Sequence, residues 1–153
     1  MKKDLAWLEE QCDNIKKAEF SRLGSVKQDL TAYKFVRYTN ANDDSWVEHG
    51  AIAKLIIPAG TRIHWSTINQ KKVGKCRAAK AIVLDIKKRK RNISIPMAVS
   101  HWDTSFQYHI GDVVEPRRSH GNKVFFSTSH QTCAAGIHFF LTLKEVEDYV
   151  NGY

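Results

Sequence analysis

The first part of the chain carries apolar residues at helical spacing. Between residue 3 and about residue 20, apolar side chains recur at steps of three and four residues. This spacing places them on one face of an α-helix. They are Leu5, Leu8, Cys12 and Ile15. Because Gly24 follows the pattern, the sequence predicts an N-terminal helical segment within residues 1–24.

The centre of the chain has a different pattern. Short segments rich in β-branched and aromatic residues are separated by turn formers such as Pro58-Ala59-Gly60. Segments of this kind are typical of β-strands. The predicted strands are residues 33–38, 51–57, 61–66, 77–86, 92–95, 107–110, 124–127 and 136–141. We expect these strands to form a largely antiparallel sheet.

A second helix is predicted at the end of the chain. Thr142 is followed three residues later by Glu145, which is the spacing of a capping box at a helix N-terminus. We therefore predict an α+β fold in a single domain, residues 1–153. It consists of the N-terminal helical segment (1–24), a strand-rich basic core (32–142) and a C-terminal helix (143–151). A chain of 153 residues buries roughly 70% of its extended surface, which suits one core.

Cysteine usage and hydropathy limit the class of protein. Cys12, Cys76 and Cys133 are odd in number and form no Cys-x-x-Cys pair, so we expect small buried side chains and neither disulfides nor a cysteine zinc site. His130, Cys133 and His138 are possible metal ligands by residue type. No second pair of ligands at short spacing completes a zinc site, so we expect no metal and no cofactor. No apolar run reaches the roughly 18 residues of a membrane span. These features predict a cytoplasmic protein with no membrane partner.

The formal net charge of +8 is unevenly distributed along the sequence. Residues 52–142 hold fifteen basic and four acidic side chains, whereas both ends are slightly acidic. This density favours a phosphate-bearing partner, and a solvated turn that keeps the protein soluble is the alternative. The candidate contacts to phosphate or nucleic acid are Lys87, Lys88, Arg89, Lys90, Arg91, Arg117 and Arg118.

Aromatic residues are interleaved with these charges. Trp65, Trp102, Phe106 and Tyr108 lie within the basic region. An exposed ring there can stack on a base while Lys or Arg holds its phosphate. Alternatively, the same rings fill the core.

Two short patterns are candidates for catalysis. In His64-Trp65-Ser66 and His130-Gln131-Thr132, a histidine is followed two residues later by a hydroxyl. On a strand these two side chains share a face. The pair resembles two-histidine phosphoesterases, in which one histidine is the base and the other the acid. If the protein is an enzyme, the catalytic residues are therefore His64, Ser66, His130 and Thr132.

The C-terminal string Cys133-Ala-Ala-Gly136-Ile137-His138-Phe139-Phe140-Leu-Thr142 precedes a short acidic helix. It resembles the end of an uncharacterised domain of tailed phages and large DNA viruses. The other matching segments are Lys54-Leu55-Ile-Ile-Pro58, Lys75-Cys76-Arg77-Ala78, and Ser100 and Asp103 with Phe106-x-Tyr108-x-x-Gly111. The resemblance covers about residues 50–150. It implies a viral origin, and no reaction is established for the domain.

The recurring residues of this resemblance define a candidate ligand site. If Cys76, Arg77, Ser100, Asp103 and His138 converge, they form a polar pocket with one cation, which suits a small anionic ligand. The full set of candidate ligand-binding residues is Lys75, Arg77, Ser100, Trp102, Asp103, Tyr108 and His138.

Three functions stay open at this point. The first, and our expectation, is a non-enzymatic phage-type protein that binds an anionic nucleotide-like ligand and sequesters a host immune signal in the host cytoplasm. The second is a nucleic-acid-binding accessory protein, whose affinity falls steeply with salt. The third is a two-histidine phosphoesterase acting on a nucleotide. The apolar face of the first helix can cover its own sheet or a second copy, so the oligomeric state stays open.

Overall fold

The computed structural model describes residues 22–39, 48–65, 76–101, 105–116 and 136–152. These residues form ten strands and one helix. In chain order they are β1 (Arg22–Ser25), β2 (Leu30–Thr39), β3 (Glu48–Ile57), β4 (Arg62–Trp65), β5 (Cys76–Ala78), β6 (Ala81–Lys88), β7 (Met97–Ser100), β8 (Gln107–His109), β9 (Val113–Val114), β10 (Ile137–Phe139) and α1 (Leu143–Gly152).

The strands form two antiparallel sheets. The larger sheet has six strands in the order β8-β7-β2-β3-β6-β9, and the smaller has four in the order β1-β4-β5-β10. The long hairpin of β2 and β3 is the centre of the larger sheet, with ten residue pairs from Leu30 opposite Ile57 to Thr39 opposite Glu48.

One backbone pair joins the two sheets. The N–H of Tyr33 in β2 donates to the carbonyl of Phe140 at 2.8 Å, and the N–H of Phe140 donates back to Tyr33 at 2.7 Å. Phe140 directly follows β10, so the last strand of the smaller sheet continues into a bridge with the centre of the larger one.

The core lies between the two sheets. Alternate residues of β2 and β3 point to one face, and on that face Ala32, Val36, Ala53 and Leu55 are fully buried. The smaller sheet contributes Ile63, Cys76, Ala78, Ile137 and Phe139 to the same apolar cluster. Cys76 is a buried free thiol, as the cysteine spacing predicts.

Helix α1 confirms the predicted C-terminal helix. The hydroxyl of Thr142 accepts from the N–H of Glu145 at 3.1 Å and donates to the Glu145 carboxylate at 3.1 Å. Val146 is fully buried, and the ring of Tyr149 lies 5.3 Å from that of Phe140. The cap and these contacts hold α1 against the end of β10 and against β2.

The predicted α+β fold with a helix at each end is wrong. The described residues are mostly antiparallel sheet, and α1 is the single helix among them. Residues 22–25 form β1, in which Gly24 lies opposite Ile63 of β4. Gly24 is therefore a strand residue and not a helix stop, because pairing with a distant strand overrides the local signal. The rest of the predicted helical segment, residues 1–21, lies outside the described residues.

Most predicted strands are confirmed, with changed bounds. The predicted strand 77–86 is two strands, β5 and β6, because the chain passes from the smaller to the larger sheet between them. The predicted strand 92–95 contributes one isolated bridge, Ser94 with Lys87. The predicted strand 124–127 lies outside the described residues.

The turn after β6 is tied to α1 by a charged contact. Nε and one terminal nitrogen of Arg89 each donate to the Glu147 carboxylate at 3.1 Å, and that terminal nitrogen also donates to the Asn151 side chain at 2.6 Å. The aliphatic stem of Arg89 rests near Gly50 of β3. One cation of the basic run thus has a structural role.

We expect a double-mutant cycle of Arg89→Ala and Glu147→Ala to show favourable coupling of up to about 1 kcal/mol in the free energy of unfolding. The value is small because the Glu147 side chain is 38% exposed. Urea unfolding of the four proteins measures it. The exposed Lys144 and Asp148 pair is the control, with coupling of at most about 0.5 kcal/mol. A cycle with no coupling would show that Arg89 does not hold the helix.

Candidate functional site

Three polar side chains lie in register across the smaller sheet. His64 of β4 is directly opposite Arg77 of β5, and Arg77 is directly opposite His138 of β10. Residues opposite each other on antiparallel strands point to the same face, with Cα atoms about 5 Å apart. His64, Arg77 and His138 therefore form a continuous row, here called the histidine-arginine row.

The row occupies the face of the smaller sheet that points away from the core. Along the three strands, the residues of the row alternate with Ile63, Cys76 and Ile137, which face the core. His64 and Arg77 are nevertheless only 1% exposed, while His138 is partly buried. The row is therefore an enclosed polar site and not an open surface.

Arg77 is the permanent cation of this row, and burial affects its pKa. Loss of hydration lowers the pKa of the Arg77 guanidinium below its ordinary value, because burial disfavours the charged form. Arginine remains a cation at neutral pH even so. An anion beside Arg77 offsets this cost, and the attraction is stronger in an enclosed site than in water.

Gly136 makes room for Arg77. A Cβ atom at position 136 would lie 2.9 Å from the Cβ of Arg77 and 3.3 Å from its Cγ and Cδ. The backbone just before β10 therefore lies against the aliphatic stem of Arg77. This close approach gives a physical reason for the glycine that precedes Ile137 and His138.

Lys34, on β2 of the larger sheet, contacts β10 of the smaller sheet. It lies on the core-facing side of β2 between Ala32 and Val36, and its Nζ donates to the main-chain carbonyl of His138 at 2.9 Å. Burial lowers the pKa of Lys34 to about 8. Sequence reasoning missed this residue, although a lysine among the alternating apolar positions of a strand is a readable signal.

The structure brings together some of the predicted ligand-binding residues and separates others. Arg77 and His138 are neighbours in the row. Ser100 and Tyr108 belong to the larger sheet, where Ser100 lies opposite Val36 and Tyr108 is buried in the core. Cys76 points to the opposite face from Arg77. The remaining candidates, Lys75, Trp102 and Asp103, lie outside the described residues.

Of the predicted catalytic residues, His64 is the one that falls in the described chain. Ser66, His130 and Thr132 lie outside it, so the proposed pairing of His64 with His130 stays a prediction. The described histidine that shares a sheet face with His64 is His138.

The five basic residues after Ile86 have different surroundings. Lys87 and Lys88 end β6, where Lys87 lies 3.9 Å from Asp85 and Lys88 lies 5.3 Å from the Tyr38 ring. Arg89 binds α1, as described above. Lys90, which has a positive φ of 64°, and Arg91 are exposed. The other candidate phosphate contacts, Arg117 and Arg118, lie outside the described residues.

The described chain thus defines a protein of two antiparallel sheets with an enclosed histidine-arginine row. A family of unknown function, DUF5758, matches residues 17–146, and the chain belongs to this family. The match begins well before residue 50, where the motif resemblance starts. No curated protein and no solved structure matches the chain. Within the described residues, no helix is long and apolar enough to cross a membrane.

Replacement of Gly136 by Ala tests the close approach to Arg77. We expect Gly136→Ala to lower the free energy of unfolding by about 1 to 3 kcal/mol more than Gly111→Ala does, because both glycines have a positive φ but only at position 136 does the new methyl group overlap the Arg77 stem. Gly111→Ala is the control, since a Cβ there meets nothing within 4 Å and costs only about 1 kcal/mol of backbone strain. Urea denaturation measures both. Equal losses would mean that Gly136 is not required by Arg77.

The buried amine of Lys34 predicts a pH-dependent stability. The folded pKa of about 8 lies below the ordinary 10.5, so between these values the unfolded chain binds more protons. The stability of the wild type relative to Lys34→Met should therefore rise with pH from about 8 to about 10.5, by at most about 3 kcal/mol.

Urea denaturation of wild type and Lys34→Met from pH 6 to pH 11 measures this difference. Below pH 7 the difference should be flat, because both states are protonated there. Parallel stability curves over the whole range would contradict the lowered pKa.

Proposed function

We propose that this protein is a non-enzymatic binding protein for an anionic nucleotide-like ligand. The ligand's phosphate is held by the histidine-arginine row. One observation carries the proposal: an enclosed guanidinium lies in register between two imidazoles on adjacent strands.

The chemistry of the row suits a phosphate group. Arginine presents planar N–H donors that match phosphate oxygens in a bidentate geometry. Each neighbouring imidazole adds a ring N–H donor. Hydrogen bonds to charged groups are worth about 1.5 to 3 kcal/mol each, so three such side chains can retain a small ligand.

Enclosure predicts how the ligand is exchanged. Because His64 and Arg77 are closed to solvent, a ligand enters only when the chain around them opens. Association and release are then both slow, which suits sequestration and not rapid turnover.

The motif resemblance to a domain of tailed phages and large DNA viruses supports the finer proposal, a viral protein that sequesters a host immune signal in the host cytoplasm. The fifteen basic residues of segment 52–142 attract such anions.

Analysis of released ligand tests this proposal. The purified protein is incubated with cyclic and linear nucleotides and with short DNA and RNA, washed and heat-denatured, and the released material is identified by mass spectrometry. Intact nucleotide is the expected result. Altered nucleotide would overturn the proposal in favour of the phosphoesterase, and bound polymer alone would favour a nucleic-acid accessory protein. If nothing is bound, the proposal also fails.

Replacement of Arg77 tests the residue that carries the proposal. We expect Arg77→Met to weaken nucleotide binding roughly 10- to 100-fold, because a charge-assisted contact is lost while the aliphatic stem is kept. Arg62→Met, an exposed position on β4 of the same sheet, should bind as the wild type does. Equilibrium dialysis measures the affinity.

A folded Arg77→Met protein with wild-type affinity would exclude the row as the site. If Arg77→Met does not fold, His138→Gln replaces it, because His138 is only partly buried. The expected loss for His138→Gln is roughly tenfold.

A further inference from the structure

The larger sheet has a cleft between its two edge strands. β8 is one edge of this sheet and β9 is the other, yet the two strands follow each other along the chain. The described part of the sheet therefore curls until its edges are close, although β8 and β9 form no ladder with each other. The cleft between them has a volume of about 290 Å³. Its walls are Ser105, Phe106, Gln107, Val113, Val114 and Glu115.

The turn that joins β8 to β9 explains why the two strands do not pair. The N–H of Asp112 donates to the carbonyl of His109 at 3.0 Å, which closes a four-residue turn. Gly111, the third residue of this turn, has a positive φ of 92°, whereas the φ of Ile110 is not positive. This combination is typical of a type II turn, and turns of that type splay the strands of a hairpin. The cleft therefore follows from a local conformation of the chain.

Main-chain donors of both strands point into the cleft. The carbonyl of Phe106 accepts from an N–H of β7 at 2.9 Å. Because a trans peptide directs its N–H opposite to its carbonyl, the N–H of Gln107 points away from β7 and towards the cleft. The carbonyl of Asp112 accepts from β6 at 2.9 Å, so the N–H of Val113 likewise points away from β6. An extended peptide carries the carbonyl groups that such donors require.

Side chains give the cleft an apolar floor. By strand alternation Phe106 and Val114 lie on the core side of the sheet, where Val114 belongs to the apolar cluster and Phe106 packs against it. Val113 lies on the other side, in register with Ile82 of β6, and its side chain is 57% exposed. A strand laid in the cleft would therefore place one side chain over the floor and the next beside Val113.

The rim of the cleft is acidic, although the protein as a whole is basic. Asp112 and Glu115 lie on either side of β9, and they are two of the four acidic residues in segment 52–142. No cation of the described chain forms an ion pair with either carboxylate. A ligand with a Lys or Arg side chain therefore complements this rim.

We infer that the cleft between β8 and β9 is a strand-addition site for an extended segment of a partner protein that carries Lys or Arg. The main chain of this segment accepts from the N–H groups of Gln107 and Val113, as peptides do at exposed sheet edges. One apolar side chain of the segment covers Phe106 and Val114, and a cationic side chain next to it binds Glu115. The histidine-arginine row lies on the smaller sheet, so the inference does not rest on the proposed nucleotide site.

Binding of a short labelled peptide of alternating Val and Lys tests the inference, with fluorescence anisotropy as the measurement. We expect saturable binding, although the protein has a net charge of +8 and repels cations generally. A peptide of alternating Val and Glu is the matched control and should bind roughly tenfold more weakly. The Val-Lys peptide with every amide N-methylated should lose affinity to a similar degree, because its methyl groups keep the main chain away from the strand edges.

Val113→Pro tests the main-chain contact. Proline removes the N–H that points into the cleft, and it is tolerated on an edge strand where that N–H faces outward. We expect Val113→Pro to weaken binding of the Val-Lys peptide roughly tenfold. Val113→Thr is the control, because it keeps the N–H and the branched shape, and it should bind as the wild type does. Urea denaturation shows whether both variants are folded.

Glu115→Lys tests the charge of the rim without changing the main chain. We expect it to reverse the preference, so that the Val-Glu peptide binds roughly 3- to 10-fold more tightly than the Val-Lys peptide. Asp148→Lys, an exposed position on α1, changes the net charge equally and should leave the preference unchanged. Arg77→Met should bind the Val-Lys peptide as the wild type does, which distinguishes failure of the cleft from failure of the nucleotide site.

Three results would overturn the inference. Absence of saturable binding of the Val-Lys peptide would mean that the cleft takes no such strand. Equal binding of the N-methylated peptide would exclude main-chain pairing. An equal change of preference in Glu115→Lys and Asp148→Lys would mean that the peptides respond to net charge and not to the cleft.

Discussion

The backbone pair between Tyr33 and Phe140 is the contact on which the arrangement of this protein depends. It fixes the end of β10 to the centre of the larger sheet, 107 positions away along the chain. Once β10 is held there, Ile137 and Phe139 point into the core by strand alternation. His138 must then point to the opposite face, beside Arg77. The same pair fixes where α1 begins, because Thr142 follows two residues later.

Strand β10 consequently has charged neighbours on both of its faces. Arg77 lies beside it on the outer side, and the Lys34 ammonium binds the His138 carbonyl from the core side. Burial of a charged group costs several kcal/mol unless its surroundings compensate. Burial lowers the pKa values of both residues, because loss of hydration disfavours their charged forms. Ionisable groups whose pKa values are shifted by burial are typical of functional sites.

The sequence predicted what depends on local pattern. Alternation located β2 and β3, and the spacing of Thr142 and Glu145 located the start of α1, because these signals involve neighbours along the chain. It could not predict that Gly24 lies in a strand, or that segment 77–86 divides between two sheets. Those outcomes depend on which distant strand is available as a partner. For the same reason Arg77 and His138 were expected to converge with Cys76, Ser100 and Asp103, and His64 was expected to act with His130, whereas Arg77, His138 and His64 lie side by side. Their common row depends on register, which a single sequence does not encode visibly.

Burial divides the positive charge of the central segment into two kinds. Arg77 is enclosed, so salt ions that screen exposed charges over about 10 Å at 0.1 M have little access to it. Lys90 and Arg91 are exposed, and their attraction for an anion falls as salt rises. A ligand held at Arg77 is thus resistant to salt once bound, whereas an anion on the turn after β6 is readily displaced. The net charge of +8 therefore attracts anions generally, but whether a given cation retains one is decided by its burial.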